Sequence, residues 1–326
     1  MCGIAGAVNW GNAALLARMT DVQRHRGPDD GGIWETRLPD GTWVGLGSRR
    51  LSILDLSAAG HMPMSTPDGR LTIVYNGEVY NYPELRQQLE GQGYQFHSHS
   101  DTEAVLYLYQ EHGPECVHHL NGMFAFAIWD QDREQLFLAR DHLGIKPCYY
   151  AQRGRQLAFA SEIKGLLELP DLSRELDYQA VNQYLTFLWV PDPLTMFEGI
   201  HKLPPGHFGI FRRGQLQLTK YWDLELPVRD APYGRTEADL IDELYSRFAQ
   251  VIKRQMLSDV PVGAFLSAGL DSSSIVAVMS SISREPVRTY TISVADRYRR
   301  GSNFCDDPAV ARRTAARYGC IHTEIE

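Results

Sequence analysis

The hydrophobic periodicity of this chain changes once along its length, and that change restricts the fold more than any single residue does. Over about the first two hundred residues, short runs alternate apolar and polar positions and are separated by turn residues. RLTIVYNGEVYN alternates in this way and carries Asn76-Gly77, which reads as a strand entering a tight turn. MFAFAIWDQDREQLFLARD sets polar DQDRE between two apolar runs, and CYYAQRGRQLAFASE does the same around RGR, so both read as hairpins. PELRQQLEGQG begins with proline and ends in glycine, and DTEAVLYLYQEHG offers Asp101 as its N-cap, so both read as short helices. Strands of this kind predict antiparallel sheets packed face to face.

From about Trp189 to Trp222 proline and glycine dominate and periodicity is lost, the texture of a connection. Beyond it, TEADLIDELYSRFAQVIKRQML puts Ile241, Leu244, Tyr245, Phe248, Val251 and Ile252 on one helical stripe. VPVGAFL, SSSIVAVMSSI, VRTYTISV, DPAVARRTAARYG and IHTEIE then alternate strand with helix, which predicts parallel βαβ units. The expectation is a first domain over 2–205, a linker over 206–235 and an α/β domain over 236–326. A chain of 326 residues is long enough for two cores.

Charge and cysteine usage narrow the setting. A net charge of −8 argues against a nucleic-acid partner. The chain has no apolar run of the ~20 residues that cross a bilayer, and its start lacks the basic-then-apolar layout of a secretion signal. Cys2, Cys116, Cys148, Cys305 and Cys320 are odd in number and scattered, which fits reduced thiols in the cytoplasm. FHSHSD and the His118-His119 pair lack useful zinc-ligand spacing, so no metal site is expected in the protein itself.

Cys2 stands directly behind Met1, and a residue this small permits removal of the methionine. Cys2 would then carry both a thiol, of ordinary pKa about 8.5, and an α-amine, of about 7.7–8.0. An amine beside a nucleophile can serve as its base. Cleaving an amide also needs donors for the oxyanion, and Asn76 with the Gly77 N–H can supply them, the missing Cβ leaving room for substrate. Arg50 could take an amino-acid carboxylate as a fork, and Asp101 and Glu78 could hold an ammonium. Taken singly, the same residues also read as a turn, a surface charge and a helix cap.

The blocks MCGIAGA, RHRGPDDGG, RRLSILDLS, VYNGEVYNYPELR, SDTEAVLYLYQEHG, LNGMFAFAIWD, ARDHLGIKPCYY and ASEIKGLL occur in order. Together they resemble the class II glutamine amidotransferase domain, in particular that of glutamine-hydrolysing asparagine synthetases. The resemblance implies a four-layer α-β-β-α Ntn-hydrolase fold, with Cys2 as nucleophile and base and Asn76 and Gly77 as oxyanion hole. It further implies that Arg50, Leu51, Ser52, Ile53, Leu54, Asn76, Gly77, Glu78 and Asp101 form the glutamine site.

FLSAGLDSSS follows a strand and opens a helix, a junction that offers free N–H groups to phosphate, although GxxxxGK[ST] is absent. It resembles the SGGxDS loop of ATP pyrophosphatases, the activating loop of the asparagine synthetases. By that resemblance Phe265, Leu266 and Ile292 line the nucleotide, and Ser267, Gly269, Asp271, Ser272 and Ser273 belong to the pyrophosphate cradle. Ala268 replaces the usual second glycine, at a cost of roughly 1–2 kcal/mol if a left-handed backbone is needed there. Only about fifty residues follow the loop, so the second domain is expected to be a truncated parallel α/β, adenine-nucleotide-hydrolase-like fold and the chain an N-terminal portion of a longer enzyme. The resemblance implies ATP with Mg2+ for the synthetase half, and glutamine and aspartate as substrates; it allows a homodimer. Rival readings are another carboxylate acceptor, a sugar-phosphate or phosphoribosyl amidotransferase, and a non-catalytic protein that keeps the fold.

Overall fold

Alternation along β1 (Gly3–Val8) organises the first unit. Ile4 and Val8 enter an apolar layer with Val44, Leu46, Val74, Ala125, Ala127 and Trp129, whereas Ala5 and Ala7 face Leu15, Leu16 and Met19 on the other side. One strand thus serves two cores, which requires a sheet below and a helix above. The computed structural model describes residues 1–226, 234–293 and 307–326, and the chain divides into units Met1–Leu226 and Pro227–Glu326. Cys305 and part of the expected linker (227–233) lie outside the described residues.

The first unit continues with α1 (Ala13–Asp21), β2 (Asp30–Arg37), β3 (Trp43–Arg50), β4 (Met64–Ser65) and β5 (Leu71–Val79). Helices α2 (Tyr82–Gly91) and α3 (Asp101–His112) precede β6 (Gly122–Asp130), β7 (Gln135–Arg140), β8 (Tyr149–Arg153) and β9 (Gln156–Ala160). Then come α4 (Ile163–Leu166), α5 (Tyr178–Phe187), β10 (Ile200–Lys202), β11 (His207–Arg212) and β12 (Gln215–Lys220). The strands form two antiparallel sheets, ordered β10-β8-β9-β1-β3-β2 and β12-β11-β7-β6-β5-β4. Helices α1 and α4 cover the outer face of the first sheet through Leu15, Leu16, Met19 and Leu166. Fully burying each such side chain contributes about 1.5–3 kcal/mol.

Three local expectations are corrected. Asn76-Gly77 is not a turn: β5 runs through it, paired as Asn76↔Ala125 and Gly77↔Phe124, and the chain reverses only after Val79. A Cβ on Gly77 would lie 2.6 Å from the Met123 carbonyl and 2.8 Å from Phe124 Cβ, so the glycine serves close strand packing rather than making room for substrate. Ser100, not Asp101, caps α3, because its hydroxyl accepts from the Thr102 N–H at 3.2 Å. The segment expected to be linker from residue 206 begins with β11 and β12, whose Phe208 and Phe211 are buried in the first unit. Its proline and glycine residues hid a hairpin that closes around Arg213 and Gly214, both at positive φ.

The second unit contains α6 (Glu237–Gln255), β13 (Gly263–Phe265), α7 (Leu270–Ile282), β14 (Arg288–Ile292), α8 (Asp307–Arg317) and β15 (Ile321–Ile325). Its three strands are parallel, in the order β13-β14-β15, as the βα alternation predicts. Thr236 opens α6 with a reciprocal capping box to Asp239. Of the expected α6 stripe, Phe248 and Ile252 pack against Val278, Met279 and Val287, while Ile241, Leu244, Tyr245 and Val251 are exposed.

Candidate active site

Register alone brings the first-unit residues together. β1 and β3 pair as Gly3↔Arg49, so Cys2, one step earlier, stands opposite Arg50. Along β5, Val74 belongs to the layer between the sheets, and the period of two carries Asn76 and Glu78 to that same face. At one end of the sandwich the apolar layer therefore gives way to a thiol, a guanidinium, an amide and a carboxyl. Cys2, Arg50, Asn76 and Glu78 line a cavity of about 220 Å3. Leu51, Ile53, Leu54, Gly77 and Asp101 also line it. Ser52 does not; its N–H donates to Asp29 Oδ2 at 2.9 Å.

The thiol is held by backbone. The Leu51 N–H donates to Cys2 Sγ at 3.4 Å, and Sγ lies 3.8 Å from the Leu51 carbonyl oxygen. Burial pushes the Cys2 thiol above its ordinary value and pulls the terminal amine, here that of Met1, below 8.0. Burial thus keeps more of the amine unprotonated and ready to accept a proton, while it holds the thiol in its neutral form until charge in the cavity favours the thiolate. Arg26 fixes this corner: Nε donates to the Cys2 carbonyl at 2.9 Å and Nη1 to Glu162 Oε1 at 3.0 Å. Desolvation opposes ionisation of Glu162, but hydrogen bonds from Arg26, Lys164 and His25 outweigh it and pull the carboxyl down to about 2. A depressed carboxyl stabilises the fold above its unfolded value and loses that contribution as pH falls through the folded one. The melting temperature of Glu162→Gln is therefore expected to lie below that of the parent above pH 4.5, with the gap closing as pH falls towards 2.

Asn76 is fully buried, and neither its Nδ2 nor its Oδ1 has a hydrogen-bond partner among the described residues. A buried amide left unpaired costs about 1–3 kcal/mol, so its place on a cavity wall marks a donor kept for a ligand. Arg50 is differently committed. Its Nη2 donates to the Leu54 carbonyl at 2.9 Å and the Asp55 carbonyl at 2.7 Å, which holds the 51–55 loop against the cavity. Gly60 packs directly on this guanidinium, where a Cβ would collide with Nη2.

The carboxyl end is built around Asp101, the first residue of α3, whose Oδ2 accepts from Tyr75 Oη at 2.7 Å and the Val79 N–H at 2.9 Å. Burial pushes Asp101 upward despite these bonds. Burial and then the Asp101 charge push Glu78 upward, against the opposing Lys146 and terminal amine. Two carboxyls lining one cavity, both pushed upward by burial, favour a cation between them. Met1, Met62, Tyr75, Ser100, Thr102, Met123 and Lys146 complete the lining and were not singled out from sequence as site residues. Of these, Lys146 had a signal, as a lone charge between Ile145 and Pro147.

In the second unit the SAGLDSSS loop links β13 to α7. Ser267 and Ser272 bond through their hydroxyls at 3.0 Å, and the Gly269 N–H donates to Ser267 Oγ at 3.1 Å. Gly269 is the N-cap of α7 and makes no side-chain cap, so the first turn, with Asp271, Ser272 and Ser273, keeps donors for an anion. Phe265 and Ile292 are 73% and 69% exposed, whereas Leu266 is 2% exposed and packs with Val276 and Ala311. The Leu266 side chain therefore belongs to the core and does not line an open nucleotide surface, a correction to the sequence reading. Ala268 is absent from the residues at positive φ, so the left-handed cost expected for it does not arise.

A family model described as a glutamine amidotransferase domain matches residues 1–222, and one described as asparagine synthase matches 243–326. Asparagine synthetase [glutamine-hydrolyzing] 3 of Bacillus subtilis is 38% identical over 99% of this chain and 53% of its own length. A Gibberella zeae protein named amidase chry2 is 36% identical over 92% of this chain and 45% of its own length. The chain thus spans about half the length of these relatives. Among solved structures, the glutamine phosphoribosylpyrophosphate amidotransferase of B. subtilis is 15% identical with a TM-score of 0.51, covering 90% of this chain and 75% of that one. That likeness concerns the fold, a set of mixed α/β layers.

Proposed function

The chain belongs to the glutamine amidotransferase family, and on that premise we propose that its first unit hydrolyses glutamine to glutamate and ammonia. The observation that carries this reading is the unpartnered Asn76 amide on the same cavity wall as the Cys2 thiol. With Met1 removed, the Cys2 amine takes the thiol proton and Sγ attacks the side-chain amide carbon of glutamine. Asn76 Nδ2 and the Gly77 N–H receive the oxyanion, the amine passes its proton to the departing nitrogen, and ammonia leaves. Water then cleaves the γ-glutamyl thioester and restores the thiol. Asp101 and Glu78 take the substrate ammonium, and Arg50 faces the carboxylate with Leu51, Ile53 and Leu54 around it. Ammonia release from glutamine, measured on protein whose intact mass lacks methionine, tests the reading.

The carboxyl pair makes the binding step proton-linked. Raised carboxyls stabilise the free fold below their ordinary range and lose that contribution as pH rises through the raised values. An ammonium that binds between them favours the ionised forms. Glutamine binding is therefore expected to release protons and to tighten as pH rises through that range. Calorimetric titrations in phosphate and in Tris check this, since equal heats in both buffers would mean that no proton is released.

The ammonia is destined, on this reading, for ATP-dependent amidation of aspartate through β-aspartyl-AMP. Support comes from the asparagine synthase match over 243–326 and the anion-ready start of α7. Ser267, Gly269, Asp271, Ser272 and Ser273 would face the phosphates, with Mg2+ arriving on the nucleotide. The free thiols favour a cytoplasmic setting, and no helix among the described residues is long and apolar enough to cross a membrane. A relative named as an amidase matches over a similar span, so a second reading keeps the chemistry and changes the acceptor to another carboxylate.

A further inference from the structure

Among the described residues Lys146 is the one lysine that lines the cavity, and it has no task in the scheme above. It is 5% exposed. Its backbone is anchored on both sides: the N–H donates to Asp141 Oδ2 at 2.9 Å, and its carbonyl accepts from Arg140 Nε at 2.9 Å. The side chain is different. Among the described residues its Nζ makes no hydrogen bond or ion pair. An ammonium on a cavity wall with no bonded carboxylate is placed to meet negative charge that develops in the cavity.

The charged groups around it define what it can do. Glu78 on β5 and Cys2 before β1 line the same cavity, and Arg26 and Asp141, outside its lining, also act on the lysine through their charges. Burial lowers the lysine's proton affinity, and Glu78 and Cys2 restore part of it. Arg26 is already matched by Glu162 and by the Cys2 carbonyl. Asp141 already accepts the N–H groups of Phe124, Ile145 and Lys146. Lys146 thus holds a positive charge that nothing else on the wall has taken.

We propose that Lys146 is a positioning residue for glutamine hydrolysis, its ammonium offsetting the negative charge of the Cys2 thiolate and the Glu78 carboxylate while substrate is bound. The inference rests on the glutaminase reading. No bond forms to Lys146 and it keeps its protons; the thiol proton goes to the terminal amine and then to the leaving nitrogen. A charge of this kind acts through the low dielectric of the cavity and is felt over several ångströms.

The test uses Lys146→Met and Lys146→Arg in the full chain with Met1 removed. Iodoacetamide alkylation of Cys2, resolved by peptide mass, is followed against pH, and kcat and KM for glutamine are measured beside it. In Lys146→Met the alkylation midpoint is expected to move up by about one pH unit and kcat to fall about tenfold. The melting temperature should stay within a few degrees of the parent, since the Lys146 side chain makes no hydrogen bond or ion pair among the described residues. Lys146→Arg should restore most of both losses. An unchanged alkylation profile in Lys146→Met overturns the proposal, as does an arginine variant no better than methionine. A parent that releases no ammonia defeats the glutaminase reading instead, and the alkylation profile then reads the effect of Lys146 on the thiol by itself.

Discussion

Replacing Cys2 with alanine is expected to lower ammonia release from glutamine by about a thousandfold or more, down to the level of added buffer. Neither buried thiol of the first unit can replace it: Cys116 and Cys148 lie outside the cavity lining, and burial pushes both far up. The fold should tolerate the change, because the hydrogen bonds of Sγ among the described residues are the two weak ones with the Leu51 backbone. Melting temperatures of the two proteins should agree within a few degrees, which separates lost chemistry from lost structure. Blocking the amine should do the same to activity as removing the thiol. Protein that keeps Met1, or that carries an acetyl group on Cys2, has its base moved or neutralised and should release ammonia no faster than Cys2→Ala. Turnover by a methionine-bearing preparation at the rate of the processed one would remove the amine from the mechanism.

The site was legible in the sequence to the extent that strand periodicity determines which face a residue takes. Asn76 and Glu78 share a face with Val74, and Cys2 shares one with Ile4, by counting in twos. Counting could not show which sheet lies opposite, and here family resemblance supplied what local pattern lacked. Asn76-Gly77 misled because its turn preference is local, whereas a full ladder of partners on β6 overrides it. Asp101 misled similarly: a carboxylate at a helix start usually caps, but Ser100 had already taken that position, which released Asp101 to Tyr75 and Val79. Lys146 stood out only as a lone charge between Ile145 and Pro147, which did not place it on the wall, because its position depends on how the turn after β7 is held by Asp141. In the second unit, alternation of strand and helix found every element of the parallel sheet, yet it could not separate Leu266, buried in the core, from its exposed neighbour Phe265.

Asn76→Ala should separate the oxyanion donor from the rest of the site. The amide has no partner among the described residues, so truncating it removes none of their hydrogen bonds and relieves a buried polar group. Its melting temperature is expected to match or slightly exceed that of the parent. In the reaction the same amide meets charge only as the tetrahedral intermediate forms, and loss of one such donor lowers kcat by about 10²–10³. KM should move far less, because Asp101, Glu78 and Arg50 still hold the amino-acid end of glutamine. Asn76→Asp sharpens the comparison: it keeps the shape but adds a carboxylate facing the developing oxyanion and near Glu78, and should be at least as slow as alanine. If Asn76→Ala keeps kcat within about threefold, or loses stability in proportion to its activity, the amide is a packing residue and the oxyanion must be held elsewhere.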